Sequence, residues 1–167
     1  MQGMLQLLRL INTLERIEGR KKLQKIVHIL KTCGYEENFP QHFGYLQYGP
    51  FSSEVAAEID QLVSGNLVNE SGQGQPYEAY VYEPGESTPK LLTELQQDLT
   101  PAWASLAKML NAKDTALLES ISTILYIKGN GFSGEALKKR FSELKPTLAS
   151  RFRTALSEAE SLFDKAR

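Results

Sequence analysis

Residues 45–55 read YLQYGPFSSEV, and what this stretch becomes decides the fold. Two tyrosines and a phenylalanine crowd a Gly-Pro break, and two serines then open a helical pattern. Proline cannot donate to a strand ladder, so Gly49-Pro50 ends a short strand predicted over residues 43–47. Ser52 or Ser53 caps the next helix, with Glu54 in the first turn, where the helix dipole favours negative charge. Val55, Ile59, Leu62 and Val63 make its apolar face, and Gly65-Asn66 ends it. The stretch is therefore the joint between a small strand and a helix. Its aromatics serve core packing or a binding surface.

Upstream, Met4, Leu7, Leu8, Ile11, Leu14 and Ile17 follow helical spacing, with Leu5 and Leu10 widening the stripe. An arc that wide predicts burial on two sides, in a core and at a dimer contact. A second helix is predicted from Lys21 to Cys33, with Leu23, Ile26, Val27 and Leu30 inward and Gly34 as its stop. Downstream, residues 67–70 and 77–82 read as two strands joined by SGQGQP. Helices, a short strand, a helix and a hairpin make the winged-helix plan over residues 1–83. PGESTP marks a linker at 84–89, and residues 90–167 are helical throughout. In that region Leu91, Leu92, Leu95 and Leu99 line one helix, and Thr100-Pro101 starts another. Residues 117–125 form a third, Ser133 caps a basic helix over 134–144, and Lys145-Pro146 opens the last. The predicted class is α+β, mostly α.

A chain of 167 residues with 41% hydrophobic and 23% charged side chains can build a core without metal or disulfide. The single cysteine fits a reducing compartment, no stretch approaches the ~20 apolar residues of a membrane span, and no leader is visible. The expectation is a cytoplasmic protein. The net charge of -1 hides a segregation. Residues 1–31 carry seven basic and two acidic side chains, residues 32–89 nine acidic and no basic, and residues 90–167 twelve basic and nine acidic.

The catalytic inventory is thin, and no catalytic residue, metal or cofactor is predicted. His28 falls off the apolar face of its helix, among Lys21, Gln24 and Lys25, and reads as solvated or interfacial. His42 is isolated, and Cys33 reads as a small core residue with no base to activate it. GQGQP and GNGFSG lack the context of a phosphate-cradling loop.

Nucleic-acid binding in the usual winged-helix manner is disfavoured. The helix that would enter the groove carries Glu54, Glu58 and Asp60, and phosphate affinity comes from Lys and Arg. DNA could instead meet Arg20, Lys21, Lys22 and Lys25, together with Lys138, Lys139, Arg140, Arg151 and Arg153. Those clusters equally complement the acidic block, within the chain or across a dimer.

GRKKLQKIVHIL at residues 19–30, followed by YLQYGPFSSEV and then by LVNES and YVYE, resembles the YwgA-like bacterial proteins and, in motif, the Panacea-type (SocA-like) antitoxin domain. The matching positions are Lys22, Leu23, Gln24 and Lys25, then Tyr48 through Ser52 and Glu54. The resemblance implies a winged-helix-like fold in a bacterial cytoplasmic protein without established catalysis. For the Panacea type it implies neutralisation of a toxin by protein contact.

Two functional expectations follow. The first is a non-enzymatic interaction module whose patch comprises Tyr45, Tyr48, Phe51, Tyr77, Tyr80 and Tyr82, rimmed by Glu54 and Glu58. It would suit a basic protein partner or the positive end of a second copy. The alternative is a homodimeric transcriptional regulator touching DNA through its basic helices.

Overall fold

The first helix, α1 (Gln2–Leu14), ends where Glu15 turns into the left-handed region at φ 64° and returns its N–H to Ile11 O at 2.8 Å. That reversal frees Ile17 from the helix predicted for it. Ile17 instead enters a two-residue strand, β1 (Ile17–Glu18), and is fully buried. Helix α2 (Arg20–Leu30) follows and closes through one wide turn, Lys31–Tyr35, in which Gly34 sits at φ 108°. The structure, a computed structural model, describes residues 1–72 and 80–165.

At the Gly-Pro break the chain turns back on itself. Strand β2 (Gly44–Leu46) pairs with β3 (Gly49–Phe51) in an antiparallel hairpin, with Tyr45 opposite Pro50 and Leu46 opposite Gly49. Gly49-Pro50 thus opens a return strand instead of ending the sheet. With only two strands in this ribbon, the missing proline N–H faces no third strand. Ser52 caps α3 (Ser53–Ser64), accepting the Val55 N–H at 3.2 Å. Strands β4 (Val68–Ser71) and β5 (Val81–Pro84) complete a three-stranded antiparallel sheet in the order β1-β5-β4. Tyr82 lies opposite both Ile17 and Glu70. The predicted loop after Ser71 and Tyr77 fall largely outside the described residues.

The predicted linker is docked onto the strands that precede it. Gly85 N–H and the Thr88 hydroxyl both donate to Leu67 O, at 2.8 and 2.6 Å, and Thr88 is fully buried. A Cβ at Gly85 would collide with the Asn66 carbonyl. Five helices follow: α4 (Thr88–Glu94), α5 (Ala104–Asn111), α6 (Thr115–Gly129), α7 (Gly134–Leu144) and α8 (Phe152–Lys165). A 3-10 segment, Pro146–Arg151, precedes α8. Helix α4 stops short of Leu99 because Gln96 adopts φ 54°, which leaves Leu95 and Leu99 exposed.

The whole assembly is α+β and mostly α. The second apolar side of α1 is covered by α4 and α5 of the same chain, while α3 covers the first. Helices α2 and α6 form the centre of the packing, and a single hydrophobic core takes residues from both sides of position 90. Among the described residues, no helix is long and apolar enough to cross a membrane.

Candidate functional site

Every residue of α2 from Leu23 to Leu30 is buried, as is every residue of α6 from Leu118 to Leu125. Their polar side chains therefore have to find one another, because a buried polar group without a partner is costly. On α2, the Gln24 amide donates to Ser52 O and accepts Ser52 N–H, both at 2.9 Å. Lys25 Nζ donates to Pro50 O at 2.7 Å. Two side chains of the KLQK segment thus hold the backbone of the Gly-Pro-Phe-Ser joint, which explains why the two motifs occur together. Leu23 enters the core, and Lys22 Nζ donates to Asn111 O at 2.6 Å at the end of α5.

Beneath the hairpin the charges form a compact cluster. Glu119 on α6 accepts from Lys145 Nζ at 2.5 Å and from Lys21 Nζ at 3.4 Å. Lys145 also donates to Gln47 O at 3.2 Å, tying the hairpin turn to the segment after α7. Lys25, 2% exposed, has no ion pair among the described residues. Burial pushes its ammonium down to about 8, with Glu119 opposing and Lys145 and Lys21 adding to the fall.

His28 is buried, not solvated as its helical position predicted. Nδ1 lies 2.7 Å from Ser122 Oγ, and the ring packs on Phe43 with centroids 5.0 Å apart. Burial, helped by Lys25 and Lys31, pushes the imidazole down to about 3, so it is neutral at physiological pH. Cys33 is also buried, and its thiol is pushed up to about 11, which leaves it a poor nucleophile. Among the described residues no three of His, Cys, Asp and Glu gather as a metal-binding group.

The hairpin leaves two large side chains in solvent, Leu46 at 56% and Tyr48 at 60% exposure. With Phe51, Gly49 and the stems of Arg20, Lys21 and Lys25 they line a cavity of about 360 Å³ whose walls are almost wholly apolar. Lys21 Nζ lies 4.6 Å from the Tyr48 ring centroid, and the Arg20 guanidinium lies 4.2 Å from that of Tyr80. Arg20 also donates to the Tyr82 hydroxyl at 2.9 Å and pairs with Glu70 at 3.0 Å.

The predicted aromatic patch is therefore divided. Tyr48 is exposed, and Phe51, Tyr45 and Tyr80 are half-buried. Tyr82, 1% exposed, belongs to the core because its strand is the middle one of the sheet. Tyr77 lies outside the described residues. The predicted acidic rim is also elsewhere: Glu54 pairs with His42 at 2.9 Å, and Glu58 accepts from Gln41 at 2.8 Å on the α1 side. The hydrogen bond from His42 holds the Glu54 carboxyl below its ordinary value. The side chains edging the cavity are cations.

The basic clusters are likewise partly committed. Buried Lys25 cannot reach a phosphate, and Lys22 is spent on α5. Arg151 pairs with Asp114, the cap of α6, at 3.0 Å, and Arg140 with Glu143 at 3.3 Å. Lys138, Lys139 and Arg153 are exposed and have no ion pair among the described residues. Sequence reasoning missed Glu119, and read Lys145 as one of a basic cluster opening the last helix rather than as the partner of Glu119. The available signal was a lone carboxylate inside the apolar run LLESISTIL.

No family model matches the chain, and no solved structure matches it significantly. Among curated proteins, the "Uncharacterized protein YwgA" of Bacillus subtilis (strain 168) is 30% identical over 132 residues, spanning 77% of this chain and 75% of the relative.

Proposed function

The chain belongs to the YwgA family, and we propose that it is a non-enzymatic, winged-helix-like protein-interaction module that grips its partner at the β2–β3 hairpin. The order α1-β1-α2-β2-β3-α3-β4-β5, with the small β2–β3 hairpin before α3 and a separate sheet in the order β1-β5-β4, supports the winged-helix reading. The KLQK and YGPFS motifs, now physically linked through Gln24 and Lys25, support kinship with the Panacea type and an antitoxin-like or regulatory role. One observation carries the site: exposed Tyr48 and Leu46 stand over an apolar cavity edged by Arg20 and Lys21.

Tyrosine beside a desolvated pocket is the usual anatomy of an interface hot spot. The cationic edge reverses the expected sign of the partner. The fitting occupant is a segment of another protein that presents one apolar side chain flanked by carboxylates.

A photo-crosslinking residue at position 48, with the attached peptide identified by mass spectrometry, tests this. The expected product is an apolar-acidic segment of a different protein. Its synthetic peptide should bind the intact chain, bind at least tenfold more weakly to Tyr48→Ala, and weaken with salt and with Lys21→Glu. Attachment to a second copy of this chain, or peptide binding indifferent to Tyr48→Ala, refutes it. Tyr48→Ala should leave stability within about 0.5 kcal/mol, because the ring is mostly in solvent.

A second reading, a dimeric regulator on DNA, rests on the exposed cations Lys138, Lys139 and Arg153. It predicts salt-sensitive DNA binding that is lost on charge reversal at Lys138 and Lys139.

A further inference from the structure

On the other side of the hairpin, α6, the turn after it and α7 enclose a groove of about 670 Å³, well within the size of small-molecule sites. We propose that this groove binds a mononucleotide.

Its floor is aromatic. The Tyr126 ring packs against Tyr45 with centroids 5.5 Å apart. Phe132, 38% exposed, also lines the groove and is one of the few large apolar side chains left in solvent among the described residues. Phe132 is not on a loose tip: Gly131 turns the chain at φ 94°, and the Phe132 N–H is bonded to Ile127 O at 3.4 Å. A fixed, half-exposed ring bordering an aromatic floor is a stacking platform for a planar ring.

The rim of the groove on α7 is charged. Lys139 and Arg140 line it, with Glu143 one turn further along holding Arg140 at 3.3 Å. Two cations against one carboxylate leave one positive charge in excess, and Lys139 has no ion pair among the described residues. The Asn130 side chain adds an exposed amide, able to donate and accept, at the end of α6. Aromatic stacking, an amide and an excess positive charge within one groove match a base joined to a phosphate. The site owes nothing to the apolar cavity across the hairpin, so it stands whether or not the partner-binding reading holds.

Calorimetric titration of the full chain with AMP, GMP, CMP and UMP tests the proposal, with adenosine, inorganic phosphate and a single-stranded oligonucleotide as comparisons. At least one mononucleotide should bind saturably, and more tightly than adenosine or phosphate alone. Phe132→Ala should weaken it roughly tenfold, the order of one base-stacking contact. The double variant Lys139→Glu/Arg140→Glu should weaken it at least as much, with an unchanged thermal midpoint because both side chains are exposed. Amide shifts on nucleotide addition should centre on Asn130, Phe132 and Arg140. No saturable binding at millimolar nucleotide, binding unaffected by the charge reversals, or phosphate binding as tight as the nucleotides would each overturn the proposal. Tighter binding by the oligonucleotide would reassign the groove to a strand and overturn it as well.

Discussion

Acid should unfold this protein through a histidine that the sequence places among lysines. His28 is buried and neutral, its ordinary value of 6.5 pushed down to about 3. The unfolded chain therefore binds a proton at His28 below pH 6.5, while the folded chain stays unprotonated there until about pH 3. A folded value below the unfolded one means stability is fully present above pH 6.5 and is lost as the pH falls towards 3. The loss amounts to about 1.4 kcal/mol per pH unit, or about 5 kcal/mol over the whole window. That rivals the total stability of a typical domain. The matched reference is His28→Asn, whose amide can occupy the Nδ1 position facing Ser122 but cannot titrate. It will be less stable near neutrality because it loses the ring contact with Phe43, and that offset does not depend on pH. Urea unfolding of both proteins from pH 7 to pH 4 isolates the histidine, since the carboxylates titrate in both. The gap in unfolding free energy between wild type and His28→Asn should close, then reverse, as the pH falls. Parallel curves would refute the argument and mean that His28 takes up its proton without unfolding.

Lys25 supplies a second pH window. Its folded value of about 8 lies below the unfolded 10.5, so the folded form resists protonation and stability rises as the pH climbs from 8 to 10.5. Denaturant titrations of Lys25→Met against wild type should show their difference changing by about 3 kcal/mol across that range, in favour of wild type at the alkaline end. Glu119→Gln removes the carboxylate that accepts from Lys145 and Lys21, leaving Lys145 buried without its counter-charge; a loss of about 3 kcal/mol is expected in the same assay near neutrality. Gly49→Ala sets a side chain at φ 95°, with its Cβ 3.1 Å from Thr123 Oγ1 and 3.4 Å from Lys25 Nζ. It should cost about 2 kcal/mol and lower the thermal midpoint, and an unchanged midpoint would mean the hairpin relaxes freely.

Much of the secondary structure was legible locally. Ser52 capping α3 and Gly65-Asn66 closing it follow from turn and cap chemistry, which acts within a few residues, and the basic helix spans 134–144 as its sequence pattern predicts. The errors came where distant chain decides. Ile17 has helical spacing but joins β1, because β5 offers it a strand partner 65 residues away in sequence. Pro50 lies within a strand, not at its end, because the proline sits where no ladder needs its missing donor. The candidate site shows the same division. Aromatics beside a Gly-Pro break were visible in the sequence, but neither their exposure nor the sign of their surroundings was. The acidic side chains next to them in sequence point towards α1 and His42, while the cations beside the cavity come from α2.

The sequence by itself determined most of the helix caps and stops and the apolar stripes that make a core possible. These depend on neighbours one or two turns away, which any residue window contains. Only the tertiary structure decided that α2 and α6 pack polar face to polar face. That contact turns His28 into a neutral core group, strips Lys25 of solvent and gives Glu119 one of its two lysines. A helical wheel reads such polar residues as facing water, because it does not include the second helix that supplies their partners.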